Sequence, residues 1–171
     1  TDKSTFTGKE GVKGKLVEMT RLLNHRGPDD EGFEILESHD FVAGLGHKRL
    51  SILDLSAAGH QPMFSVDGNL VIIYNGEIYN FPKIKKELES KGYSFKSSTD
   101  TEVILYAYME YGNECADHFN GIFSFVIWDK KNSTLFAARD KLGVKPLIYA
   151  PLPTGIVFGS EINAVLKFSQ N

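Results

Sequence analysis

Val12, Leu16, Met19, Leu22 and Leu23 recur at helical spacing, which predicts an amphipathic helix over residues 12–24. It should end before the turn-rich segment Arg26-Gly27-Pro28-Asp29-Asp30. Phe41 to Gly46 and Arg49 to Leu53 read as two short strands, Gly59 to Gly68 as loop, and Leu70 to Tyr74 as a strongly apolar strand. Pro82 to Ser90 follows as a helix, with Asn80 as its cap and Gly92 past its end. Thr99 and Glu102 have capping-box spacing and open a helix through Glu110 that Gly112 stops. A shorter helix is expected from Glu114 to Phe119. The strands Ile122 to Trp128, Thr134 to Arg139, Leu147 to Ala150 and Ile156 to Phe158 then read as an antiparallel meander, with a turn at residues 129–132. Glu161 to Phe168 closes the chain as a helix. Continuous apolar strands are the mark of sheets buried on both faces. The pattern therefore predicts an α+β fold, two mainly antiparallel sheets packed together between helix layers.

With 171 residues the chain is one domain or the detached half of something larger. Its formal charge of −3 argues against a nucleic-acid or anionic-membrane surface. No apolar run approaches the ~20 residues of a membrane span, and the polar start Thr1 to Thr5 has no secretory apolar core. The single cysteine, Cys115, excludes an intramolecular disulfide and fits a reducing compartment, so a cytoplasmic location is expected. The histidines His25, His39, His47, His60 and His118 show no metal-ligand spacing, and no P-loop is present.

The richest chemistry follows the apolar run Leu70-Val71-Ile72-Ile73. There Tyr74-Asn75-Gly76-Glu77-Ile78-Tyr79-Asn80 brings a carboxamide, a bare backbone N–H and a carboxylate to one sheet edge. Such a set can stabilise an oxyanion and hold an ammonium group. Taken alone, Asn-Gly is equally a hairpin turn. Arg49 alone reads as a surface ion pair, and Asp100, just inside a helix start, as a cap or dipole partner.

Eight segments in order change that balance. Asn24-His25-Arg26-Gly27-Pro28-Asp29, His47 with Arg49-Leu50-Ser51-Ile52, Gln61-Pro62-Met63, Tyr74 to Asn80, Ser98-Thr99-Asp100-Thr101-Glu102, Gly121-Ile122-Phe123-Ser124-Phe125, Arg139-Asp140 with Leu142-Gly143 and Pro146-Leu147, and Ser160-Glu161 together resemble the glutaminase domain of glutamine-hydrolysing asparagine synthetases. These are class II amidotransferases of the N-terminal-nucleophile hydrolase type. The resemblance implies a four-layer αββα sandwich and release of ammonia from the glutamine side-chain amide through a cysteinyl acyl-enzyme. It implies an oxyanion hole from the Asn75 side chain and the Gly76 N–H. Arg49 would hold the substrate α-carboxylate, where a planar guanidinium suits two oxygens. Leu50, Ser51, Ile52 and Leu53 would line the same pocket. Glu77 and Asp100 would accept the α-ammonium. Arg26 and His25 are expected to support the surrounding loop by hydrogen bonds, and His47 to be a hydrogen-bonding structural residue. Arg139-Asp140 is either a structural ion pair or part of a surface facing a second domain.

The family's nucleophile is an N-terminal cysteine whose own amine is the base, set on a short first strand. Residue 1 is Thr1, and Thr1 to Thr7 reads as the polar segment after such a strand. Residues 1–171 are thus expected to be a glutaminase domain written without its first strand, with a C-terminal synthetase domain outside it. Cys115, at a core-facing helical position, is expected to be a small hydrophobe. The implied partners are L-glutamine and a synthetase domain in the same full-length chain, and a homodimer is compatible. No cofactor is expected in this domain; ATP and magnesium would belong to the synthetase domain. Two alternatives stand beside this reading. One is a glutaminase feeding another acceptor. The other is a non-catalytic glutamine-binding module.

Overall fold

Buried apolar side chains sort into two clusters, and the chain divides accordingly into two units. The computed structural model describes residues 8–37, 41–50 and 59–169. Of the described residues, the first unit holds those from 8 to 50, His60–Pro62 and 148–169, and the second holds Gly59 and Met63–Leu147.

In the first unit, helix α1 (Lys9–Arg21) buries Leu16, Met19 and Thr20. It starts and stops earlier than the expected 12–24, and Asn24–Arg26 forms a separate 3-10 turn. Strands β1 (Asp30–Glu37) and β2 (Val42–Arg49) pair antiparallel from Asp30↔Arg49 to Glu37↔Val42. Strand β2 thus runs past the expected end at Gly46 as far as Arg49; of the second strand expected at Arg49 to Leu53, Ser51, Ile52 and Leu53 lie outside the described residues. The segment between Asp30 and Glu37 is strand although it carries four acidic residues. Its apolar members Phe33 and Ile35 alternate and pack beside Leu16 and Met19. Later in the chain, β7 (Ile148–Leu152) and β8 (Gly155–Gly159) form a hairpin, and α4 (Ile162–Ser169) adds Ala164 and Val165 to the same cluster.

The second unit is a four-stranded antiparallel sheet ordered β3-β4-β5-β6, from Met63–Phe64, Leu70–Ile78, Gly121–Asp129 and Thr134–Arg139. The short β3 lies inside the segment expected to be loop, beside a cis Gln61-Pro62 bond. Helices α2 (Phe81–Ser90) and α3 (Asp100–Tyr111) pack against one sheet face. Their core takes Leu70, Ile72, Tyr74 and Ile78 from β4 and Phe123, Phe125 and Ile127 from β5. On β5 the intervening Ser124, Val126 and Trp128 are buried as well, so its continuous apolar run reflects burial on both faces. The expected meander breaks after β6: β5 pairs with β6, whereas among the described residues β7 pairs only with β8. The 3-10 helix Gly112–His118 replaces the short helix expected at 114–119.

The start of α3 is fixed by side chains. Thr99 has extended backbone, and its Oγ1 accepts from the Glu102 N–H at 3.4 Å. The buried Glu102 carboxylate accepts from the backbone N–H groups of Lys96 (2.9 Å) and Ser97 (2.7 Å) and from the Ser97 hydroxyl (2.6 Å). It thus ties down the approach to α3 instead of closing the reciprocal box on Thr99. Asn80 makes no cap bond to α2; its amide bridges instead to the Asn120 N–H and the His118 carbonyl. Replacing Glu102 by Ala strands two backbone donors, and urea unfolding should register a loss of about 3 kcal/mol. A loss under about 0.5 kcal/mol would show that these bonds do not hold the segment.

Candidate functional site

Antiparallel pairing alternates the direction of backbone groups along a strand. Just past β4 the Tyr79 N–H donates to the Asn120 carbonyl at 2.8 Å, on the β5 side. The Ile78 N–H points the other way and donates to Asp100 Oδ2 at 3.0 Å. Gly76 shares the Ile78 parity and sits opposite Phe123. Phe123 spends its own N–H and C=O on Asp140, at 3.3 and 2.8 Å, on the β6 side. The Gly76 N–H is therefore directed to the edge of β4 away from β5. There β3 pairs only as far as Met63↔Ile72, and among the described residues no strand pairs beyond it.

Glycine at 76 is required by the sheet itself. A Cβ there would lie 2.2 Å from the Ile122 carbonyl oxygen and 2.6 Å from Phe123 Cα. The bare backbone thus serves close packing against β5 first, and any approach by a ligand second. Asn75 and Glu77 have the opposite side-chain parity from Tyr74 and Ile78, so they project from the face away from the α2–α3 core.

Asp100 occupies the first turn of α3, but Thr99 is the cap. The Asp100 carboxylate instead crosses to β4, where Oδ2 accepts from the Tyr74 hydroxyl at 2.6 Å and from the Ile78 N–H. Burial, then the charge of Asp100 and its hydrogen bond, then the charge of Glu77, hold the Tyr74 phenol far above its ordinary range. It stays a protonated donor, and the field of both carboxylates reaches it. Among the described residues neither Asp100 nor Glu77 has a cationic partner. Tyr74 carried no role in the sequence reading. Its position at the end of the apolar run, before Asn75-Gly76, was the available signal.

In the first unit, Arg49 ends β2 and Leu50 follows with its side chain exposed. Ser51, Ile52 and Leu53 lie outside the described residues, as do Thr1 to Thr7. The loop over residues 24–29 closes on Arg49: the Asp29 N–H donates to the Arg49 carbonyl at 3.1 Å. A Cβ on Gly27 would lie 2.6 Å from Arg49 N. Asp30, paired opposite Arg49, is somewhat buried, which raises its pKa. The His60 hydrogen bond and charge, with the Arg49 charge, outweigh this and hold it below the usual carboxylate range. Arg26 and His25 meet Glu161 Oε1 at 3.2 and 2.9 Å. Burial would raise Glu161, but those two hydrogen bonds prevail and lower it. The clamp is complete above the ordinary carboxylate range and is lost as acid protonates Glu161.

Arg139 and Asp140 do not form an ion pair. The Asp140 carboxylate accepts from the N–H groups of Lys145, Val144 and Phe123, which hold it below its usual range. The Arg139 guanidinium lies over Gly143, where a Cβ would meet it.

The chain matches the family model described as a glutamine amidotransferase domain over residues 4–171. It is 45% identical to asparagine synthetase [glutamine-hydrolyzing] 3 of Bacillus subtilis, across 94% of this chain and 27% of that protein. It is 42% identical to the putative asparagine synthetase [glutamine-hydrolyzing] 2 of Methanocaldococcus jannaschii, across 95% and 34%. Amidase chry2 of Gibberella zeae is 37% identical across 92% and 23%. The chain thus spans about a quarter to a third of the length of these curated relatives. Among solved structures, glutamine phosphoribosylpyrophosphate amidotransferase from B. subtilis aligns with a TM-score of 0.73 at 19% identity, covering 95% of this chain and 41% of that one. That likeness supports the α+β sandwich class expected from the sequence.

Cys115 is fully buried in the α2–α3 core, and burial pushes its thiol up to about 12. At pH 8 such a thiol is thiolate to roughly one part in ten thousand, against about a quarter for an unperturbed one. Iodoacetamide should therefore label the Cys115 peptide about a thousandfold more slowly in the native protein than in urea. Comparable rates would mean an accessible, reactive thiol.

Proposed function

We propose, from the premise that this chain belongs to the glutamine amidotransferase domain family matched over residues 4–171, that it releases ammonia from the side-chain amide of L-glutamine for a synthetase domain in a longer chain that makes asparagine. The observation that carries the reading is the Gly76 N–H, directed to the edge of β4 beyond the end of its pairing with β3, where no described strand pairs, beside a carboxylate anchored two residues further along the same edge. A module that only bound glutamine would need the carboxylate but not the spare donor.

In the reaction a nucleophile attacks the amide carbon, and the carbonyl oxygen takes up negative charge. The Gly76 N–H and the Asn75 side-chain N–H stabilise that oxygen. The C–N bond breaks, the leaving nitrogen takes a proton and departs as ammonia, and water then hydrolyses the acyl-enzyme to glutamate. The nucleophile in this reading is an N-terminal cysteine preceding Thr1. Buried Cys115, with its raised pKa, does not serve.

Recognition of the amino-acid end is assigned to charges of both signs. Arg49 takes the α-carboxylate, with Leu50, Ser51, Ile52 and Leu53 lining the pocket, and Asp100 with Glu77 takes the α-ammonium. The edge N–H groups of Gly76 and Ile78 are about 7 Å apart, two residues of strand. In glutamine the α-nitrogen and the amide oxygen are five bonds apart and reach about 6 Å. Asparagine falls about 1 Å short of that, so a carboxylate held at Ile78 and a donor at Gly76 favour the longer side chain.

A second reading, the same glutaminase feeding a different acceptor, is favoured by the 37% identity to a protein named as an amidase.

The test is glutamate release by the full-length protein. Asn75→Ala should lower kcat roughly hundred- to thousandfold with KM changed only a fewfold. Arg49→Ala should act mainly on KM. Equal losses in kcat and affinity for Asn75→Ala would contradict the oxyanion role, and an unchanged KM for Arg49→Ala would contradict the carboxylate role.

A further inference from the structure

Asp100 cannot offer both oxygens to a ligand. Its Oδ2 already accepts the Tyr74 hydroxyl at 2.6 Å and the Ile78 N–H at 3.0 Å, while Oδ1 has no protein donor among the described residues. A backbone N–H alone fixes one oxygen but leaves the carboxylate plane free to turn about it. The second donor removes that freedom, and its own position is rigid. The Tyr74 ring is 5% exposed and packed in the α2–α3 core, so the phenol arrives from a fixed direction. The bond is also short, as expected when the acceptor is ionised.

We propose that Tyr74 is a positioning residue for substrate recognition: its hydroxyl and the Ile78 N–H lock Oδ2 of Asp100 so that Oδ1 alone receives the α-ammonium of the amino-acid substrate. This rests on the reading of Asp100 as the ammonium acceptor. It makes one contact of the ligand depend on a core tyrosine that never touches it. It also ties ammonium recognition to the strand that carries the Gly76 N–H, because Tyr74, Gly76 and Ile78 occupy successive same-parity positions of β4.

The discriminating substrate is glutaramate, which is glutamine without its α-amino group. Ammonia release from glutamine and from glutaramate is compared in the full-length protein for the parent, Tyr74→Phe and Asp100→Asn. Tyr74→Phe keeps the ring in the core and removes only the hydroxyl. It should raise KM for glutamine about tenfold, roughly one charge-assisted hydrogen bond, with kcat within about twofold. Its kcat/KM for glutaramate should stay at the parental value, so the preference for glutamine falls about tenfold. Asp100→Asn should collapse that preference further. If Tyr74→Phe lowers activity on both substrates in parallel, Tyr74 is structural only and the inference is overturned. If Asp100→Asn erodes the preference while Tyr74→Phe leaves it intact, the inference fails and the reading of Asp100 survives. If Asp100→Asn leaves the preference intact, the reading of Asp100 itself fails, and the inference with it.

Discussion

The Asp100 carboxylate grips the edge of β4 through a backbone N–H and a core hydroxyl, and the arrangement of the second unit depends on that grip. One end of it is set by α3. Thr99 caps the helix and Glu102 fastens the residues before it, so the helix start has little freedom to shift. The other end is set by the ladder of β4 on β5, which decides by simple alternation which N–H groups are consumed and which are left at the edge. A slip of one residue would turn Gly76 inward and Asn75 outward at once. The close approach of Gly76 to Ile122 and Phe123 opposes such a slip, since any other residue would drive a Cβ into the β5 backbone.

The first unit treats Arg49 in a comparable way. The chain from Asn24 to Asp29 closes on the Arg49 backbone, with glycine at 27 because no Cβ fits there. Arg26 and His25 fasten the same loop to Glu161 at the entry to α4. The cationic residues of the His-Arg-Gly-Pro segment thus act on the loop, and the guanidinium of Arg49 acts on its surroundings, including Asp30. These are structural tasks that a reading limited to substrate contacts would overlook.

Much of this was legible in the sequence, for identifiable reasons. The runs at Leu70–Tyr74 and, but for Ser124, Ile122–Trp128 are apolar on consecutive positions, and both became central strands. Gly112 stops α3 with a backbone angle that favours glycine, as its place after Glu110 suggested. Strand β1 was hidden because its acidic residues dominate the composition, and only the alternation of Phe33 and Ile35 betrays it. The break between β6 and β7 was hidden because it depends on Asp140, whose carboxylate gathers the N–H groups of residues 144 and 145 and turns the chain. No local pattern distinguishes that aspartate from a surface one. Tyr74 was hidden for a related reason: its apolar ring explains its position so well that the hydroxyl attracts no attention until Asp100 is found beside it.

The most direct measurement is a crystal structure of the full-length protein with bound glutamate or glutamine. The account requires the ligand's ammonium on Asp100 Oδ1, with Oδ2 still held by Tyr74 and Ile78. It also requires the side-chain carbonyl oxygen at the Gly76 N–H. A ligand whose ammonium sits away from Asp100, or a Gly76 N–H bonded to an acceptor from the protein itself, would contradict it.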